Sequence, residues 1–195
     1  MVKQDTRQRL LAVGEQLMLE RGYHSTGLSD IVNSAGVPKG SFYHFFASKE
    51  AFAMAVLDQH FQDYDQATAE LLTRPDLPPL IRIQHFFLAA RDKMQQQNCE
   101  GGCLVGNLAQ EMSDQDESFR LRLEQIMRSW QTHIARCLQE ARDQGQLPDS
   151  TEPTEMARFL LNSWEGALMR SKVTKSIESL DNFMSIIFST VLKTE

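Results

Sequence analysis

Apolar residues return along this chain at intervals of three and four, the spacing of one helical face, and no stretch alternates residue by residue as a half-buried strand would. The first such run starts near Lys3, carries Leu10, Leu11, Val13, Leu17 and Met18 inward, and stops at Gly22, a residue that ends helices readily. Two short helices are expected next, over 28–35 and 39–45, divided by Ala35-Gly36-Val37-Pro38. Thr26 can cap the first of them, Asp30 suits its first turn, and Pro38 suits the start of the second. A longer helix over 48–72 runs into the proline cluster Pro75, Pro78 and Pro79. Five more are expected over 79–97, 103–112, 116–144, 153–174 and 178–193, parted by Gly101-Gly102, Ser113-Asp114 and the stretch 145–153. The pattern predicts an all-α protein of about nine helices.

Two short helices joined by a tight glycine-containing turn form a helix-turn-helix. We therefore expect a three-helix DNA-binding domain over 1–50 and a second helical domain over 51–195. A recognition helix must lay a short polar face into the major groove. Lys39, Ser41, Tyr43 and His44 supply donors for that face, and Gly40 lets the backbone come close to DNA. Thr26 and Lys49, each at a helix start, are placed to hold phosphates. Phe42, Phe45 and Phe46 read instead as the apolar cement beneath the helix.

Composition narrows the class. With 42% hydrophobic residues in 195, the chain can bury a real core, and no apolar run is long enough for a membrane span, so a cytoplasmic protein with no membrane partner is expected. A net charge of −6 argues against DNA only if it is evenly spread. Over residues 1–50, six cations (Lys3, Arg7, Arg9, Arg21, Lys39, Lys49) face five carboxylates (Asp5, Glu15, Glu20, Asp30, Glu50), leaving the acidity in the remainder. Three cysteines without a CxxC pair, and His85 and His133 without partners at ligand spacing, predict no disulfide scaffold, metal or other cofactor.

The ordered segment Gly22-Tyr23, Thr26, Asp30-Ile31, Ala35 through Phe46 and Ser48-Lys49-Glu50 resembles the signature of the tetracycline-repressor (TetR) family. That resemblance implies a transcriptional repressor, acting as a homodimer on a palindromic double-stranded operator and released by a small-molecule inducer. A second stretch, Asn98 to Glu111, resembles the TetR subgroup holding the N-ethylmaleimide reductase repressor and the acrylate-utilisation regulator, which implies that Cys103 responds to electrophiles. The residues allow two readings of Cys103: a thiol in a helix's first turn, where the dipole favours thiolate, or a small buried hydrophobe. Cys99 and Cys137 read as structural.

An inducer pocket is expected from Phe86, Met112, Trp130 and Trp164, with Met127 and Met169 nearby, although such stripes also serve as plain core. Trp164, Ala167 and Leu168, with Phe183, Ile187 and Val191, belong to wide apolar stripes on the last two helices and are expected to pair with a second copy. Two other classes stay open. A cysteine-dependent enzyme would need a base beside Cys103, which local spacing does not supply, so no catalytic residue is expected. A ligand-independent structural DNA binder would need many more Lys and Arg contacts than an acidic body offers.

Overall fold

In the computed structural model, which describes residues 2–192 with side chains from Asp5 onward, nine α-helices and one π-turn make up the regular structure of the described residues. They are α1 (Val2–Arg21), α2 (Leu28–Ser34), α3 (Lys39–Phe45), α4 (Lys49–Leu72), α5 (Pro79–Gln96), α6 (Leu104–Met112), α7 (Glu117–Asp143), α8 (Pro153–Thr174) and α9 (Glu178–Ile186). The expected last helix departs from the pattern: it stays α-helical only to Ile186 and continues as a π-turn over Ile187–Val191, while position 193 lies outside the described residues. In that turn Leu192 N–H donates to Ile187 O at 2.8 Å, and the five-residue step brings both side chains inward, where α-helical spacing would part them.

Glycines end the helices where the sequence predicted. Gly22 (φ 80) follows α1, and Gly36 (φ 62) follows α2 in a full Schellman motif, with Val37 N–H on Val32 O at 3.0 Å and Gly36 N–H on Asn33 O at 3.1 Å. Gly145 (φ 70) does the same for α7.

The chain divides into two compact units. The first holds residues up to Asp63 together with Cys103–Glu124, so α6 and the start of α7 fold with α1–α3. Its core combines Leu10, Met18, Ile31, Phe42 and Phe52 with Leu104, Leu108 and Phe119, all at most 1% exposed. Phe42, Phe46 and Phe52 stack in an aromatic cluster with centroids 4.9–5.4 Å apart. A Cβ on Gly14 of α1 would fall 2.7 Å from Phe52 Cε1 and nearer still to Cζ, so α1 and α4 meet where a side chain is missing.

The second unit holds Tyr64–Gly102 and everything from Gln125 onward. Phe87, Trp164 and Phe183 form an aromatic triangle with centroids 5.0–5.2 Å apart, tying α5, α8 and α9 together. Arg82, 5% exposed, clasps Glu140 through two nitrogens at 2.6 and 3.2 Å and donates to the carbonyls of Leu72 and Leu77, which secures the end of α4 and the proline loop. No helix among the described residues is long and apolar enough to cross a membrane.

Candidate nucleic-acid interface and sensor thiol

The α2–turn–α3 segment buries one side and bares the other. Ile31, Val32, Ala35 and Phe42 point into the core, whereas Lys39, Gly40, Tyr43 and His44 are exposed, Tyr43 by 55%. Lys39 with Tyr43, and Gly40 with His44, stand four residues apart, so the four make two adjacent rows on one face of α3. Ser41 is half-buried at the edge of that face. Nothing lies within 4 Å of a Cβ built on Gly40. Phe42 and Phe46 are buried and Phe45 half-buried, as expected of the cement under the helix.

Thr26 needs correction. Gly27, not Thr26, is the N-cap of α2, and Asp30 Oδ2 accepts from the Gly27 N–H at 3.2 Å. The Thr26 hydroxyl is fully buried and donates to Gly22 O at 2.7 Å, while its N–H donates to Tyr23 O, so both of its donors are already used. A threonine two residues before a helix offers the same sequence signal as a cap, and only the path of the chain separates the two.

Lys49 opens α4, where Ser48 Oγ accepts from Ala51 N–H at 3.1 Å. Its Nζ sits 4.2 Å from the centre of the Tyr23 ring and donates to His24 O at 3.4 Å. Burial lowers the pKa of Lys49, with Glu50 and Glu111 pulling the other way. Burial, then Glu50, raises the Tyr23 phenol to about 12, which keeps it a donor to Glu50 Oε1 at 3.2 Å. Glu50 in turn is lowered, by its own backbone N–H and then by Ser48 and Tyr23.

Cys103 is the N-cap of α6, with Sγ accepting from Gly106 N–H at 3.4 Å, and its side chain is half-buried. Cys99 and Cys137 are buried, and burial raises the Cys137 thiol to about 11 while it donates to Pro79 O at 3.2 Å. The segment entering Cys103 is unusual: Asn98, Cys99, Gly101 and Gly102 all have φ between 53° and 81°. Lys172 lies across it, with Cδ 2.9 Å from a Cβ built on Gly102.

Of the expected pocket residues, Met112 is buried in the first unit and Phe86, Trp130 and Trp164 in the second. Met127 and Met169 are exposed and turn away from any such lining. Trp130 Nε1 and Ser171 Oγ are buried with no hydrogen-bond partner among the described residues. For Ser171 the cause is visible: Ala167 O, the usual acceptor one turn back, takes the Ser179 hydroxyl at 2.9 Å.

The expected dimer stripe also needs correction. Trp164, Leu168, Phe183 and Ile187 fill the core of their own unit, and Ala167 and Val191 are half-buried. The strongest apolar stripe is the one the chain itself buries. What α8 leaves outside is Phe159, Gly166, Met169 and Val173, the last 79% exposed, and α9 adds Ile186. A groove of about 570 Å³ runs beside them, lined by Ser163, Gly166, Ala167, Arg170 and Asn182.

Sequence pattern missed Glu111, Glu15 and His60. Glu111 Oε2 accepts from His24 N–H at 3.0 Å, and Glu15 Oε1 lies 2.9 Å from His60 Nδ1. Both pairings join residues 45 or more apart in sequence, and no local pattern carries such a signal. No group of three or more potential metal ligands occurs among the described residues.

Residues 10–56 match the profile of the bacterial regulatory proteins of the tetR family, and residues 79–187 match the tetracyclin repressor-like C-terminal domain. The chain is 36% identical to the transcriptional repressor DhaR of Mycobacterium sp. strain GP1, covering 98% of this chain and 95% of that one. It is also 36% identical to the repressor NemR of Escherichia coli K12, over 93% and 91%. The crystal structure of reduced E. coli NemR superposes with a TM-score of 0.85 at 37% identity, covering 94% of this chain and 96% of that one. The regulator AcuR of Cereibacter sphaeroides shares 36% identity over 90% and 80%.

Proposed function

Because the chain belongs to the tetR family of bacterial regulatory proteins and is thus a DNA-binding transcriptional regulator, we propose a finer reading: a cytoplasmic homodimeric repressor, not an enzyme, freed from a palindromic operator by a small electrophilic inducer. The DNA-reading residues lie within 1–50 and the sensing and dimerisation residues within 51–195, although the boundary expected at 50 differs from the compact units, in which the head extends to Asp63 and takes in Cys103–Glu124. One observation carries the DNA reading: Lys39, Gly40, Tyr43 and His44 are exposed on one face of α3, and at Gly40 nothing in the fold accounts for the missing side chain. Ser41 borders that face, and Lys49 has donors left for a phosphate.

Cys103 is the sensing thiol. Its sulfur already acts as an acceptor for Gly106 N–H, a role that thiolate fills better than thiol, and it is the one cysteine of the three that is not buried. Phe86, Trp130 and Trp164, all of the second unit, are the pocket residues of this reading. Trp130 has a stated use, since a ligand carbonyl would satisfy its buried Nε1–H. The dimer face is the outside of α8, Phe159, Gly166, Met169 and Val173, with Ile186 of α9, related by a two-fold that sets two recognition helices on one palindrome.

The test is operator release. The pure protein is bound to the DNA beside its own gene and N-ethylmaleimide is added, with Cys103→Ser in parallel. Release of the wild type alone supports the reading, with a coupling of about 1–3 kcal/mol between thiol and operator. Equal behaviour of the two proteins removes Cys103 as the sensor, and failure of both to bind the DNA removes the operator assignment.

A further inference from the structure

We propose that Glu111 is the positioning residue through which α6 holds the reading head in register, so that a disturbance at the start of α6 reaches α2 through one backbone amide. The proposal deepens the functional reading above and rests on it for its biological meaning only.

Helix α6 carries Cys103 at its N-cap and Glu111 near its last turn, about 12 Å along the axis at 1.5 Å per residue. It packs on α1 in the same compact unit, and Leu104, Val105 and Leu108 are fully buried, so close packing passes a strain at its start along the helix. At its far end Glu111 Oε2 accepts the His24 N–H at 3.0 Å. The carboxylate also lies against Gly22, where a Cβ would sit 3.0 Å from Glu111 Cδ. Gly22 therefore has two reasons to be glycine: its φ of 80° and the room it leaves for Glu111.

His24 is gripped from both sides. Its N–H goes to α6 through Glu111 and its carbonyl to α4 through Lys49 Nζ at 3.4 Å. The neighbouring Tyr23 donates to Glu50 and packs 6.2 Å from Phe119 of α7. The exit turn of α1 is thus the place where α1, α4, α6 and α7 converge, and three residues beyond His24 stands Gly27, the N-cap of α2. A shift of α6 along its axis pulls on this turn first, and the turn leads straight into the helix-turn-helix. The hydrogen bond from His24 N–H to Glu111, together with the contact of the Glu111 carboxyl group against Gly22, ties the turn to the end of α6.

The experiment perturbs the start of α6 chemically and reads the turn. Iodoacetamide converts the Cys103 thiolate to a thioether with loss of iodide, and mass spectrometry checks that only Cys103 is modified. Amide hydrogen exchange is then followed at His24 in wild type, Glu111→Ala and Glu111→Gln. In wild type, alkylation should speed His24 exchange about threefold or more. Glu111→Ala should exchange faster already and show no further response, and Glu111→Gln, which keeps an acceptor oxygen, should follow wild type. Melting temperatures of the unmodified variants check that each is folded. A wild-type His24 amide indifferent to alkylation, or Glu111→Ala responding as wild type does, overturns the proposal. Operator binding does not enter this readout, so failure of the functional reading would appear separately.

Discussion

Two helical glycines of the first unit, Gly14 in α1 and Gly40 in α3, look alike in sequence and differ entirely in what they answer to. A side chain at Gly14 would strike the Phe52 ring, whereas one at Gly40 would meet nothing within 4 Å. Each costs the helix about 1 kcal/mol against alanine. At Gly14 the close approach of α1 and α4 offsets that cost within the fold, while at Gly40 the fold gives no return. The inner glycine is explained by the molecule itself and the outer one by whatever α3 meets outside it.

The largest effect is expected at the inner glycine. Gly14→Leu should overpack the α1–α4 contact by about 3 kcal/mol and lower the melting temperature by about 10 °C, read by calorimetry. A tolerated leucine would mean that Phe52 has room to turn away. Next, Gly40→Ala should raise stability by about 1 kcal/mol while weakening operator binding about tenfold, two changes of opposite sign that no structural role for Gly40 would produce. Fluorescence anisotropy on labelled operator reads the second. The smallest effect is expected at a third helical glycine, Gly166 on the outer face of α8, where, as at Gly40, a built Cβ has no neighbour within 4 Å. Gly166→Ala should leave the monomer slightly more stable and weaken the dimer a few-fold, by roughly 1 kcal/mol or less, in sedimentation equilibrium.

Most of the fold was legible because helices are punctuated locally. Gly22, Gly36 and Gly145 each ended a helix as the sequence suggested, and α3 and α8 match their expected limits. The outward face of α3 was legible for the same reason, since Phe42 and Phe46 mark the inner side and fix the outer one. The failures come where two positions give the same local signal. Thr26 and Gly27 both precede α2, and burial of the Thr26 hydroxyl decides between them. The stripe through Trp164 and Phe183 is as apolar as an interface, yet it faces Phe87 of its own chain. Glu111 lay within a stretch already singled out, but its partner His24 stands 87 residues earlier, beyond the reach of any helical period.

The first compact unit is assembled from two separated stretches of chain, and this has a consequence for synthesis. When residue 63 leaves the ribosome, the helix-turn-helix segment has been made but Leu104, Leu108 and Phe119, which complete its core, have not. The head must wait for the intervening forty or so residues and then close a long loop, at a cost that grows only slowly with length. A nascent chain halted before α6 would thus carry every side chain of the recognition face and still lack its finished support, so binding competence should arrive late in translation.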